Sequence, residues 1–320
     1  VTPSTPPNRP EISVAAPASD ADLARWIGRS ETLHDRITPM PVIALAATLD
    51  HPAAPVQPGD LLPLLWHWLY FLPMHRQSEV GPDGHPRRGG FLPPVPLPRR
   101  MWAGSQFEFR APLRVGDAVS RSSTIEDVST KHGRSGTLVF VKVRHDLFCN
   151  GSAEPALVEF QDIVYRDVQQ PGAVAPAPQA AAASARWQRA VVPDSVLLFR
   201  YSALTFNGHR IHYDRPYATG VEGYPGLVVH GPLIATLLMD LLQRELPGAD
   251  VASFRFKAVR PTFDLNSFRV SAEVLDDPEA SAATAALERP SGGRTGGKTV
   301  HLWAHDHEGW LTMDATATLR

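Results

Sequence analysis

The sequence predicts an α+β chain made twice on one plan, antiparallel sheet curled around a helix. Three observations carry this. Short runs of alternating apolar and polar residues recur in both halves, the period of half-buried antiparallel strands. One long apolar helix has proline at its start and glycine past its end. The block Phe107-Glu-Phe109-Arg-Ala-Pro112, with Asp117, lies over Phe256-Lys-Ala-Val-Arg-Pro261, with Asn266, a shift of 149 residues from 107 to 256.

Taken in order, residues 1–19 are rich in Pro, Ser and Ala and are expected to be disordered. They lack the basic start and apolar core of a secretory signal. A first domain is expected over 20–168. Ser19 or Asp20 would cap a short helix running through Trp26 to Arg29. Strands follow from Val119 onward, at 137–145 and at 157–166. Residues 169–188 form a Pro/Ala-rich linker without periodicity. The second domain, 189–320, holds the helix that Gly231-Pro232 opens and Pro247-Gly248 closes. Nearly every face of its first three turns is apolar, so other structure should wrap it. Strands at 268–274, 299–305 and 310–319 complete this half.

Composition removes several classes of function. Lys and Arg total 31 against 33 Asp and Glu, a net charge of −2, which gives no general footprint for nucleic acid or an anionic membrane. No run of about 18 apolar residues suggests a transmembrane helix. A lone Cys149 leaves neither an internal disulfide nor a Cys-based zinc site. A cytoplasmic enzyme is the expectation. Prolines number 31, about a tenth of the chain, and those from Pro86 to Pro98 read as a stiff loop suited to act as a lid.

The densest polar cluster lies between Tyr201 and Gly231: Asn207-Gly-His209-Arg210-Ile-His212-Tyr-Asp214, then Tyr224, then His230-Gly231. It resembles the R-specific enoyl-CoA hydratase motif of MaoC-like hot-dog proteins, Asp-x-Asn-Pro-Ile-His-x-Asp with a later His-Gly. The motif's first Asp falls on Asn207, its catalytic His on His212, its last Asp on Asp214 and its His-Gly on His230 and Gly231. Asn207, His209 and Arg210 depart from it by replacing Asp, Asn and Pro. These departures are similar to a subgroup, the mitochondrial 3-hydroxyacyl-thioester dehydratases and bacterial mesaconyl-C4-CoA (3-methylfumaryl-CoA) hydratases. Asp83-Gly84-His85 and the segment from Arg99 to Gly104 add to that likeness. The resemblance implies a double hot-dog fold, two antiparallel sheets each wrapped around a central helix. It also implies a hydro-lyase acting on an acyl-CoA, with hydration of mesaconyl-C4-CoA to a citramalyl-CoA-type ester as the nearest activity.

The residue types suit that chemistry. Adding water to an α,β-unsaturated thioester develops negative charge on the thioester oxygen, which a backbone N–H at a helix start, here Gly231, can stabilise. His212 would activate the water, and the Asn207 amide would hold it. An amide accepts no proton, so His212 is expected both to take the proton and to return it. Tyr201, His209, Arg210, Asp214, Tyr224 and His230, with Arg100 and Trp102 from the first half, are the expected substrate-binding set. The first half, without an Asn/Asp-x4-His counterpart, is expected to shape the substrate tunnel only.

His209, His212 and His230 lack an acidic or Cys partner at ligand spacing, so no metal is expected. No cofactor is expected either, CoA being part of the substrate. The partner is then a small acyl-CoA, and a homodimer is compatible with this reading. Two rivals remain open: a hot-dog thioesterase, in which Asn207 positions a hydrolytic water, and a non-catalytic acyl-CoA-binding module. A dehydratase acting on a mid-length 3-hydroxyacyl thioester of fatty-acid metabolism is a third.

Overall fold

The computed structural model describes residues 20–52, 55–133, 136–167, 177–275 and 298–320. The expected disordered segment 1–19 and residues 169–176 of the expected linker lie outside the described residues. The first half contributes α1 (Asp20–Ala24), β1 (Ser30–Arg36), α2 (Pro39–Thr48), β2 (Arg99–Phe109), β3 (Ala118–Gly133), β4 (Gly136–Cys149) and β5 (Leu157–Arg166). The second contributes β6 (Trp187–Val191), α3 (Ser195–Leu204), α4 (Arg215–Gly220), α5 (Gly231–Glu245), β7 (Val251–Ala258), β8 (Phe268–Leu275), β9 (Thr299–His305) and β10 (Leu311–Leu319). The helix expected to run through Trp26 to Arg29 is shorter than that and ends at Ala24. Trp187 and Gln188, placed in the linker by composition, instead open β6 on the edge of β8.

Among the described residues the strands join in one sheet, ordered β1-β3-β4-β5-β2-β7-β10-β9-β8-β6. Every pairing is antiparallel. The order reads as two equivalent five-strand units meeting at β2 and β7. In that seam Ser105 faces Phe256 and Phe107 faces Phe254, on either side of the pair Gln106 and Arg255. Residues 106 and 255 are themselves 149 apart, so the twofold relation between the halves passes between them. The donors of a backbone pair repeat at the same shift. Arg110 and Ala111 both donate to the Ala156 carbonyl, and Val259 and Arg260 both donate to that of Thr312. Pro112 and Pro261 then end the two blocks. The alternation read in the sequence is an alternation of burial: Val139, Val141, Val143, His145 and Leu147 of β4 all point inward.

Helix α5 lies against β6, β8, β9 and β10, and every residue from Leu233 to Leu242 is buried. Pro232 stands where a helix can spare an N–H. Asp240 is the buried charged residue on this apolar rod. Arg189 of β6 and Arg244, one turn on, bond its Oδ2 at 2.8 and 2.9 Å, since a buried carboxylate needs paired donors.

The first half departs from the expectation of a helix inside each sheet. An isolated bridge joins Val228 to Phe263 just before α5, and its counterpart joins Leu61 to Arg114, again 149 residues before Phe263. After Leu61, however, no α-helix forms before β2 among the described residues; in the matching place lies a single 3-10 turn, Trp66–Leu69. Leu65 enters that turn in the left-handed region, with φ 69°. Pro63 and Pro73 bracket the segment, and each removes an N–H that a longer helix would use. Trp66, Leu69, Tyr70 and Phe71 are buried there in place of a full helix. Helices α2 and α3 carry no clear apolar period in the sequence. Helix α3 is set instead by Asp194, whose Oδ1 accepts from Val196 and Leu197 N–H at 2.9 Å each.

Leu238 is wholly buried in α5. Replacing it with Ala should cost about 2–5 kcal/mol in urea unfolding at pH 7; a loss under about 1 kcal/mol would show that α5 is not the keystone of this half.

Candidate active site

Where the first half lacks a helix the interior opens into a cavity of about 2150 Å³, walled by both halves. Small-molecule pockets usually hold about 300–1,000 Å³, so this one has room for an acyl group and the arm that carries it. One wall is a seam between two loops. Gly84, at φ 89°, packs so tightly that a Cβ there would lie 1.8 Å from the Gly208 carbonyl oxygen. A Cβ on Gly208 would lie 2.7 Å from that of Gly84. Both positions need glycine because backbone meets backbone. Arg210 N–H donates to the Asp83 carbonyl at 2.9 Å, and its guanidinium to that of Pro82 at 3.0 Å.

His212 faces this cavity from the short turn Arg210–His212. Its Nδ1 lies 2.7 Å from the Val228 carbonyl. A carbonyl only accepts, so Nδ1 carries the hydrogen and Nε2 of the neutral ring keeps its lone pair. Burial pushes the imidazole down to about 4, against the pull of that bond, and nearby His85 lowers it further. His212 is therefore neutral and able to accept a proton at pH 7. Asn207 sits beside it on the same wall. Its Oδ1 accepts from His209 N–H at 3.0 Å, which turns the loop and leaves the amide nitrogen for a further acceptor.

The remaining expected residues separate into two groups. Tyr201, His209, Arg210, Tyr224, Gly231, Arg100 and Trp102 all line the cavity. Gly231 opens α5, where the first N–H groups have no partner within the helix. His230 and Asp214 do not line it. His230 is buried behind His212, its ring stacked on that residue at 3.7 Å and its Nε2 2.8 Å from Ser202 Oγ. Burial, then the charges of His212 and His209, hold it well below its ordinary range, so it supports the His212 ring as a neutral group. Asp214 turns toward its own backbone, accepting from Tyr217 N–H at 3.1 Å at the start of α4 and pairing with Arg210 at 2.7 Å. Arg210 is thus held by a carboxylate. Arg100, in contrast, stands near Tyr165, His85 and His209 and acts on all three electrostatically.

Sequence reasoning left Asp83 and His85 out of the site, and the structure brings them in. The Asp83 carboxylate accepts from His85 N–H and from its Nδ1, both at 3.0 Å. The His85 ring lies 4.0 Å from that of His209, which is 5.4 Å from that of His212. Asp-x-His in the sequence was the available signal, but nothing local tied it to a loop some 120 residues on. Ligand atoms of Asp83, His85 and His209 also lie within 4.8 Å of one another, the one such group among the described residues. The carboxylate is already taken up by the backbone N–H and the Nδ1 of His85, which describes a hydrogen-bonded dyad. A second polar group lies under the cavity floor. Glu159 accepts from His67 at 3.1 Å and Gln161 at 3.0 Å, and burial is outweighed by these bonds, which keep its carboxyl low.

Residues 65–264 match the model of the hydroxyacyl-thioester dehydratase type 2 family. The chain is 46% identical to a mesaconyl-C(4)-CoA hydratase of Chloroflexus aurantiacus, over 94% of its own length and 99% of that protein's. It is 24% identical to a mitochondrial hydroxyacyl-thioester dehydratase type 2 of Schizosaccharomyces pombe, over 76% of its length and 86% of the relative's. Among solved structures, a MaoC-like dehydratase superposes with a TM-score of 0.65 at 14% identity, covering 92% of this chain and 98% of that one. A Mycobacterium tuberculosis protein described as a double hotdog fold gives 0.54 at 13% identity, over 92% and 96%. These likenesses show the double hot-dog fold.

His145, buried in β4, is also pushed down to about 4, chiefly by burial. Both it and His212 are neutral in the fold, whereas an unfolded histidine titrates near 6.5. Stability should be complete above about pH 6.5 and fall as pH drops toward 4, by on the order of a few kcal/mol in all. Urea midpoints at pH 7 and pH 4.5 check this, and equal midpoints would contradict it.

Proposed function

The chain belongs to the hydroxyacyl-thioester dehydratase type 2 family, and on that footing we propose that it adds water reversibly to mesaconyl-C4-CoA, forming a citramalyl-CoA-type ester. The observation that carries the substrate is identity of 46% along nearly the whole of both chains with a protein of that named activity. The site's geometry supports the reaction type. Water held by the Asn207 amide gives its proton to His212 Nε2 as its oxygen bonds to the β-carbon. The electron pair of the double bond moves toward the thioester oxygen, where Gly231 N–H, at the positive end of α5, meets the growing charge. The scheme needs no cofactor beyond the CoA of the substrate.

In mesaconyl-C4-CoA the β-carbon also carries a carboxylate. Arg100 supplies a guanidinium on the wall that His85 and Tyr165 share, and this planar fork suits a carboxylate. A cytoplasmic location and a homodimer are parts of the same proposal; among the described residues no helix is long and apolar enough to cross a membrane.

A panel of enoyl-CoAs with and without the β-carboxylate, followed by enoyl absorbance, tests the reading. Wild type should hydrate the carboxylated substrate best. His212→Ala should lose about 10²–10⁴-fold in kcat with unchanged circular dichroism. Arg100→Met should raise KM for the carboxylated substrate and erase the preference. Release of free CoA from a saturated acyl-CoA, with no hydration, would instead make the protein a thioesterase.

A further inference from the structure

Position 207 poses a chemical problem. Hydration removes one proton from water and adds one to the α-carbon, and an amide can do neither. The Asn207 oxygen is moreover committed to His209 N–H at 3.0 Å. We infer that the missing proton carrier comes from the other half of the molecule: the Asp83–His85 dyad is the second acid/base group of this active site, and His85 is a catalytic residue.

Geometry places it there. The 207–214 loop and the loop bearing Asp83 and His85 cannot part without losing the Gly84–Gly208 contact and the bonds from Arg210 to Asp83 and Pro82. His85 lines the same cavity as His212 and Asn207. A carboxylate accepts only, so His85 Nδ1–H donates to Asp83 at 3.0 Å and Nε2 is the free end. A carboxylate behind an imidazole orients the ring and stabilises the imidazolium when it forms. His212 has a neutral carbonyl in that place, so the two rings are suited to opposite tasks.

The step balances. Water's proton passes to His212 Nε2 while its oxygen bonds to the β-carbon. The enolate's electron pair then takes a proton from His85 Nε2 at the α-carbon. His212 has gained one proton and His85 has lost one, and exchange with solvent resets both. Dehydration runs the same transfers backward.

The charged and titratable groups around His85 are Asp83 on its own loop, Arg88 further along it, Arg100 of β2, and His209 and His212 of the facing loop. Burial and then Arg100 hold the imidazole below its ordinary range, against the pull of Asp83. A substrate carboxylate on Arg100 would offset that charge, leaving Asp83 to favour the protonated ring more strongly once substrate is bound. This part rests on the proposed carboxylated substrate.

The test uses the full chain with the carboxylated enoyl-CoA. His85→Gln and Asp83→Asn should lower kcat by about 10²-fold with KM within a factor of about three, and should remove one limb of the kcat/KM pH profile. Titration with the saturated analogue of the substrate, which cannot react, should show retained binding. Adding Asn207→Asp to His85→Gln should restore activity, because a carboxylate then stands where the family motif has one. Wild-type kcat and both limbs in His85→Gln would overturn the inference, as would a rise in KM alone or failure of the double variant to recover. Loss of wild-type activity on chelation, regained with zinc or magnesium alone, would overturn it by making Asp83, His85 and His209 a metal seat. If wild type hydrates no enoyl-CoA, the proposed function fails along with it; if wild type does and His85→Gln does too, only this inference fails.

Discussion

The pairing of β2 with β7 is the constraint on which the rest of the molecule depends. Each of these strands is the inner edge of its own five-strand unit, and an unpaired edge leaves a row of buried backbone groups without partners. Joining them satisfies both edges at once and sets the two halves in a single relation, with Gln106 opposite Arg255 on the axis. The aromatic ladder of Phe107, Phe109, Phe254 and Phe256 stacks across that seam at ring separations near 6 Å. Once that register is set, the loop after Val80 in one half is carried onto the loop after Phe206 in the other.

From this follows a division of labour between halves that share one plan. The second half keeps its helix, and with it a helix start aimed into the interior. The first half gives its helix up between Pro63 and Pro73, and the volume released becomes the cavity. Duplication alone would have produced two filled sheets with no common room. Loss of one helix is therefore not damage but the physical origin of a pocket larger than either half could hold. The buried Glu159 and His67, with Arg121 and His145 nearby, fit this view. They stand beneath that cavity, Glu159 bonded to His67 and Gln161 and His145 bonded to Ser123.

The histidines show how burial allots different states to one residue type. His212 and His230 stack face to face and are both held neutral, one on the cavity wall and the other behind it. His85 stands against a carboxylate. Two stacked imidazolium ions in a buried place would repel and lose hydration together, so the row stays largely uncharged; His85 too is held below its ordinary range by burial and Arg100, with Asp83 alone pulling the other way.

Much was legible in the sequence because it depends on local order. Strand alternation, the Pro and Gly limits of α5, the shift of 149 residues and the motif from Asn207 to Asp214 are all written in neighbouring side chains. The collapse of the first half's helix was also marked, by two prolines, though its meaning needed the matching bridge at Leu61 and Arg114. Tertiary structure alone decided that His230 and Asp214 serve the backbone and a neighbouring ring, and that Asp83 and His85 share the wall with His212. Those facts turn on which way a side chain points and on a contact between two glycines, 84 and 208, far apart in the chain. No local pattern encodes such a meeting, because glycine contributes no side chain to read and the contact exists only when the central strands pair.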